Sequence, residues 1–264
     1  MTALPTPNGD SVSQSPPSTG FSAQSPIDQA AVFQLYRQLR AAMPGETLAG
    51  RLVLSVGFRD AGAALALATM IAQGCFLGLE SEAASLKRAV QTGACDFMVN
   101  TLDEALRVLK NELRKRTPLS AGLLCQPSAV LDEMVARGVQ PDLIASRSDE
   151  PAVRELVSRG AARLPDPPDS SAQKDALVRL HAASLADMRR LDAITAPLVA
   201  GDPILRDWMQ HAPAYFSRQL PPLRVVALSQ GQITQLREQL YAAAEEKPFD
   251  TAISVESPEG LIRL

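Results

Sequence analysis

The chain has 264 residues, 46% of them hydrophobic and 21% charged, enough for a sizeable core in one large or two small domains. Its 26 basic residues against 29 acidic ones leave a net charge of -3, a balance that argues against a nucleic-acid backbone or an anionic membrane surface as partner. No run approaches the 18 uninterrupted apolar residues of a membrane span, so none is expected.

The N-terminal "MTALPTPNGDSVSQSPPSTGFSAQSP" has no Lys or Arg and no continuous apolar stretch, unlike a secretory signal or a transit peptide. Its Pro, Ser and Gly content cannot offset the entropy of ordering, so residues 1–24 are expected to form a disordered tail and the protein to be cytoplasmic. Residues 25–264 are expected to form the folded body. It opens with a helix in which Ser25 is the N-cap, Pro26 the first helical residue and Asp28 the capping-box acid, stopped by Pro44-Gly45.

A regular alternation follows. "RLVLSVG" (51–57) reads as a strand, "AGAALALATMIAQG" (61–74) as a helix, "CFLGLE" (75–80) as a strand, "SEAASLKRAVQTG" as a helix and "CDFMVN" (95–100) as a strand. Thr101 and Glu104 make a capping box for the next helix, ahead of the strand "PLSAGLLC" (118–125), the helix "PSAVLDEMVARGV" and the strand "PDLIAS" (141–146). Short apolar strands separated by amphipathic helices imply right-handed crossovers. The expected fold is therefore α/β, with a doubly wound, mostly parallel Rossmann-like sheet whose core spans 48–162.

"LPDPPDSS" (164–171) reads as a hinge, and 172–264 as a mostly helical return with one late strand, "LRVVALS" (223–229), which could rejoin the sheet. Residues 172–191 and 202–220 are taken as helical, and Ser229 with Gln232 as the capping box of the helix that follows the late strand.

Cys75, Cys95 and Cys125 are odd in number, widely spaced and set in apolar runs, which suits reduced thiols in a core. The two histidines, His181 and His211, have no Cys, Asp or Glu at ligand spacing, so no metal site is expected. Trp208, Tyr215 and Phe216 form an aromatic patch best suited to packing.

The candidate ligand site is the turn after the first strand, Gly57-Phe58-Arg59-Asp60-Ala61-Gly62. In G-x-G-x-x-G the first glycine makes the tight turn, the second lets the backbone approach a pyrophosphate, and the third lets helix and strand pack closely. Gly57 and Gly62 keep the outer roles; Arg59 replaces the middle glycine, and Asp60 puts a carboxylate by the helix N-terminus or caps that helix. Glu80, 18 residues after Gly62, ends the second strand where an acid would bond ribose hydroxyls or simply open the next helix.

These residues, with "LAGRLVLSVG", "ALATMIAQGCFLGLE", "TLDEALRVL" and above all "SAGLLCQPSAVLDEMVARGVQPDLI", resemble the central Rossmann domain of the urocanase (urocanate hydratase) family. Weaker likenesses are "HAASLADMRRL", "HAPAYF" and "LRVVALS". The resemblance implies tightly bound NAD used as an electrophile on an imidazole substrate, hydro-lyase chemistry in histidine degradation, and a dimer. It places Gly57, Arg59, Gly62, Glu80 and Gly122 at cofactor-binding positions, Gly122 through the family's GLLGN turn, here Gly122 to Gln126.

The departures cluster on the same loops. The family's GLGGMGGAQ turn has lost two cofactor-facing glycines to Arg59 and Asp60, its TDQTS segment is "ASRSD" (145–149), and its TFDYGNN-like segment is "ITAPLVAG" (194–201). No residue takes the part of the family's catalytic cysteine. The expectation is a degenerate, stand-alone relative that has lost NAD and hydratase activity. It would act by binding a small ligand of unknown identity, or through a homodimer or a complete urocanase; the alternative is an NAD-binding hydratase-type protein.

Overall fold

In the first half every short apolar run becomes a strand of one sheet. In the computed structural model, which describes residues 27–43, 45, 47–146, 148–165, 175–217 and 219–264, the first elements are α1 (Gln29–Ala42), β1 (Leu52–Val56), α2 (Asp60–Ile71), β2 (Cys75–Glu80) and α3 (Ala83–Gln91). They are followed by β3 (Phe97–Val99), α4 (Leu102–Lys115), β4 (Leu119–Leu124), α5 (Pro127–Ala136), β5 (Leu143–Ala145), α6 (Pro151–Ser158) and β6 (Ala162–Arg163). The six strands lie in the order β3-β4-β2-β1-β5-β6, every neighbouring pair parallel. This is the α/β Rossmann-like sheet that the alternation implied.

A parallel sheet carries helices on both faces, which is why its strands read as continuous apolar runs. On one face Leu54, Leu77, Leu123 and Ile144 meet Leu109 of α4, Leu131 of α5 and Leu156 of α6. On the other, Val53, Phe76 and Leu143 meet the alanine-rich α2, Leu86 of α3 and the leading helix α1. Helix starts follow the local chemistry: Thr101 Oγ1 accepts the Glu104 N–H, while the Glu104 carboxylate takes the N–H of Asn100 instead of that of Thr101. Ahead of α1 the N-cap is Asp28, whose carboxylate accepts the Ala30 N–H; Ser25, Pro26, the tail, Pro44 and residues 166–171 of the expected hinge lie outside the described residues.

The second half differs from its reading. It contains β7 (Ala176–Ala182), α7 (Leu185–Val199), α8 (Pro203–Tyr215), β8 (Leu223–Leu228), α9 (Gln230–Glu246), β9 (Ile253–Ser257) and β10 (Gly260–Arg263). The helices are present, and Ser229 and Gln232 form the capping box of α9. Residues 176–182 are a strand, however: Val178, Leu180 and Ala182 are buried on one face while Arg179 and His181 are half-buried on the other, a period of two. The late strand β8 does not rejoin the parallel sheet. It pairs antiparallel with β7 in a second sheet of order β10-β9-β7-β8.

The two sheets share α1. Its residues Val32, Phe33, Tyr36 and Leu39 are fully buried, and Trp208 of α8 lies edge-on to Phe33 with centroids 4.9 Å apart. The Trp208 indole N–H donates to the Val225 carbonyl at 2.7 Å, and the buried Gln29 amide donates to the Leu223 carbonyl at 2.7 Å. Arg40 of α1, also buried, donates to Tyr36 Oη and pairs with Asp207 at 3.1 Å.

One buried carboxylate holds the approach to β9. Asp187 of α7 accepts the N–H groups of Asp250 and Thr251 and the hydroxyls of Thr251, at 2.6 Å, and Ser184. Burial pushes its pKa up, but the hydrogen bonds from Thr251, Ser184 and the two amides outweigh that and leave it below the usual carboxylate range. A carboxyl depressed in the folded state contributes stability above the unfolded value of about 4, lost as pH falls through the folded value. Asp187→Asn is therefore expected to lower the melting temperature at neutral pH, with the gap to wild type narrowing below about pH 4. A gap that stays constant in thermal melts from pH 7 to pH 3 would contradict this.

Candidate functional site

Because all six strands of the first sheet are parallel, the loops after β1, β2, β4 and β5 gather at one edge. The chain leaves β1 towards β2 and returns beside it as β5, and ligands of open α/β sheets bind at such a switch point.

Gly57 ends β1 with φ +99°, a conformation that side chains resist, and its N–H donates to the Leu79 carbonyl at 2.7 Å. A Cβ on Gly62 would stand 2.4 Å from the Gly57 carbonyl oxygen. The first and third glycines thus keep the geometry of the tight turn and of close helix–strand contact. Between them, Arg59 is the N-cap of α2 with its side chain largely exposed, turned outwards into an ion pair with Glu82. Asp60 is the first residue of α2.

Glu80 is 5% exposed and is bonded within the protein. Its Oε2 accepts the Phe58 N–H at 2.9 Å, and its Oε1 accepts the N–H groups of Ser81 at 2.9 Å and Glu82 at 3.0 Å. A dinucleotide in the usual pose needs bare backbone at the middle of the turn and an acid at the end of β2 free for ribose hydroxyls. Here the first position carries a Cβ and a guanidinium, and the second is engaged by three amides.

Gly122 lies inside β4, within the strand expected over 118–125 and directly opposite Gly78 of β2, and both glycines underlie the Phe58 ring. A Cβ on Gly78 would come within 2.2 Å of Phe58 Cδ2; one on Gly122 would come within 2.6 Å of Leu86 Cδ2 and 3.4 Å of Phe58 Cε2. The ring is 1% exposed and stands edge-on to Phe76, centroids 5.3 Å apart. Gly57, Gly62, Glu80 and Gly122 are thus brought together around Phe58, while Arg59 faces away. Phe58 and Gly78 were missed from sequence, although a glycine inside "CFLGLE" signals that something approaches the strand closely.

Helices α2, α3, α5 and α6 all start at this edge, and none has a side-chain cap hydrogen bond. Carboxylates stand at two of these starts, Glu82 and Glu150 as the N-caps of α3 and α6. Acids there complement the helix dipole by about 0.3–1 kcal/mol each where exposed. They also repel the anion that a free N-terminus would attract. The loop after β5 is folded on itself: the Ser148 hydroxyl donates to Glu150, and Arg163 donates to the carbonyls of Ser146 and Ser148.

Groups suited to proton transfer lie elsewhere. His181, read as helical, is on β7 facing Glu256 at 3.5 Å, and His211 on α8 bonds the Asp207 carbonyl. All three cysteines are free thiols. Burial pushes Cys75 and Cys95 up to about 11 and also raises Cys125, which ends β4 with its N–H on the Glu80 carbonyl. These thiols are poor nucleophiles near neutral pH.

Residues 29–152, from α1 to the first turn of α6, match the family model described as the urocanase Rossmann-like domain. The weaker likenesses in α7, α8 and β8 fall outside the matched residues.

The trough under Phe58 gives a test of this geometry. Gly78→Ala is expected to destabilise the protein by about 1–3 kcal/mol through overpacking, and Phe58→Leu in the same chain to restore part of the loss. Denaturant melts of the two single variants and the double variant measure the coupling; strictly additive effects would show that the ring does not occupy the trough.

Proposed function

We propose, for a chain whose residues 29–152 match the urocanase Rossmann-like domain, a role as a binding or interaction module of that fold without urocanate hydratase activity of its own. The observation that supports this most is the replacement of the diphosphate cradle by charged side chains: Arg59 at the point of closest approach, with Asp60 and Glu82 at the two adjacent helix starts. Two phosphates would meet the Arg59 Cβ and the Glu82 carboxylate where bare N–H groups should face them. The residues present do not fit NAD in the family's pose, and no step of a reaction is derived through it.

Without the coenzyme the hydration has no electrophile, and no histidine stands at this edge to move a proton in its place. The scaffold then works through what it binds. The partners proposed are a second copy of the chain, a complete urocanase, or a small ligand at the same edge. Absence of self-association by sedimentation, together with failure to bind such an enzyme, would remove the protein-interface version.

A second reading is favoured by one observation, the retained geometry of Gly57 and Gly62, and keeps NAD on a rearranged turn. Calorimetric titration of the purified protein with NAD separates the two. A flat titration is expected, with Arg59→Gly gaining measurable affinity. Micromolar binding by wild type, lost in Glu80→Ala, would overturn the proposal in favour of a coenzyme-binding protein.

A further inference from the structure

In a coenzyme-binding turn the ligand is part of what orders the loop, because turn amides and the acid at the end of β2 converge on it. Here the same groups converge on each other. We infer that Glu80 and Phe58 have taken over as the internal ligand of the β1–α2 turn, which closes the candidate site from within. The inference rests on the reading that NAD is not held in the family's pose, and deepens it by naming what holds the turn instead.

Three features act together. The Glu80 carboxylate ties the turn, through the Phe58 N–H, to the start of the next loop, through the Ser81 and Glu82 N–H groups. Hydrogen bonds to a buried charged acceptor are among the stronger ones, and leaving that acceptor unsatisfied is costly. The Phe58 ring anchors the same residue from below, in a trough that exists because two glycines, Gly78 and Gly122, face each other in register on adjacent strands. From above, the Arg59–Glu82 ion pair joins the N-caps of α2 and α3. Being exposed, that pair adds little energy, and its part is to hold position.

Residue 58 is thereby fixed through its backbone and its ring at once. A ligand reaching for Glu80 or for the turn amides must first break bonds the protein already makes. Opening the turn has a cost, and that cost is set by Glu80.

Amide hydrogen exchange on the full chain, with and without NAD, reads this directly. In wild-type protein without NAD the amides of Phe58, Ser81 and Glu82 are expected to exchange slowly, and NAD to leave them unchanged. Glu80→Gln keeps the shape of the side chain but turns one acceptor into a donor, so exchange at these amides is expected to rise about tenfold or more. Rapid exchange in wild type, slowed by NAD, would overturn the inference by showing that the coenzyme orders the turn; so would unchanged exchange in Glu80→Gln. The wild-type comparison needs no variant and decides the point even where Glu80→Gln does not fold. Heat on NAD titration with unchanged exchange at the turn would defeat the preceding functional reading and leave this inference standing.

Discussion

A fully parallel sheet cannot leave a face to water, and this requirement arranges the rest of the molecule. Helices α4, α5 and α6 cover one face with leucines. The other receives α2 and α3, but half of α2 is alanine and glycine, a thin layer that must itself be covered. Helix α1 and, behind it, α8 with the second sheet supply that cover, in a core that runs from Phe76 through Phe33 and Tyr36 to Trp208 and Val225. The antiparallel half is thus the outer wall of the parallel one, and the buried polar groups of α1, Gln29 and Arg40, find their partners there.

With both faces closed, the edges of the sheet remain, and the edge beyond the strands' carboxyl ends is where this architecture offers chemistry. Its fixed parts survive: a left-handed glycine, a close helix–strand contact, helix starts pointing inwards. The charged groups around them are engaged within the chain. Carboxylates stand at helix starts, the guanidinium of Arg59 neutralises one of them instead of a ligand, and Glu80 turns inwards to amides of its own chain. The elements the backbone needs in order to fold are present, and the groups a bound anion would need are occupied by the chain itself.

Much of this was legible in the residues because two simple signals dominate the first half. Short apolar runs bounded by glycines and alternating with helical patterns read as strands of a covered sheet, and Pro or Thr at helix starts marks the helix bounds. The second half carried an equally plain signal that composition obscured: in "VRLHA", Val178, Leu180 and Ala182 alternate with Arg179 and His181, but the flanking Ala, Lys and Asp suggest a helix. The hairpin of β9 and β10 follows the same rule, Ile253 and Val255 alternating with polar residues before Pro258-Glu259-Gly260 turns the chain, and it was not read at all. At the site, glycines were recognised by their spacing, whereas the part of Phe58 depended on which two glycines, 44 positions apart, the register would set side by side. That pairing is a property of strand order, which no local pattern states.

The sharing of α1 between the halves also bears on how the molecule comes to be made. Gln29 donates to the Leu223 carbonyl across 194 positions, so the first described helix leaves the ribosome long before the strand and the tryptophan that bury it. Throughout that interval Phe33, Tyr36 and Leu39 have only the parallel half to pack against, and Arg40 lacks Asp207. Contacts closed so late make folding slow and expose apolar surface to chaperones. The core that the two sheets share is consequently completed only after Trp208 and Val225 have been made.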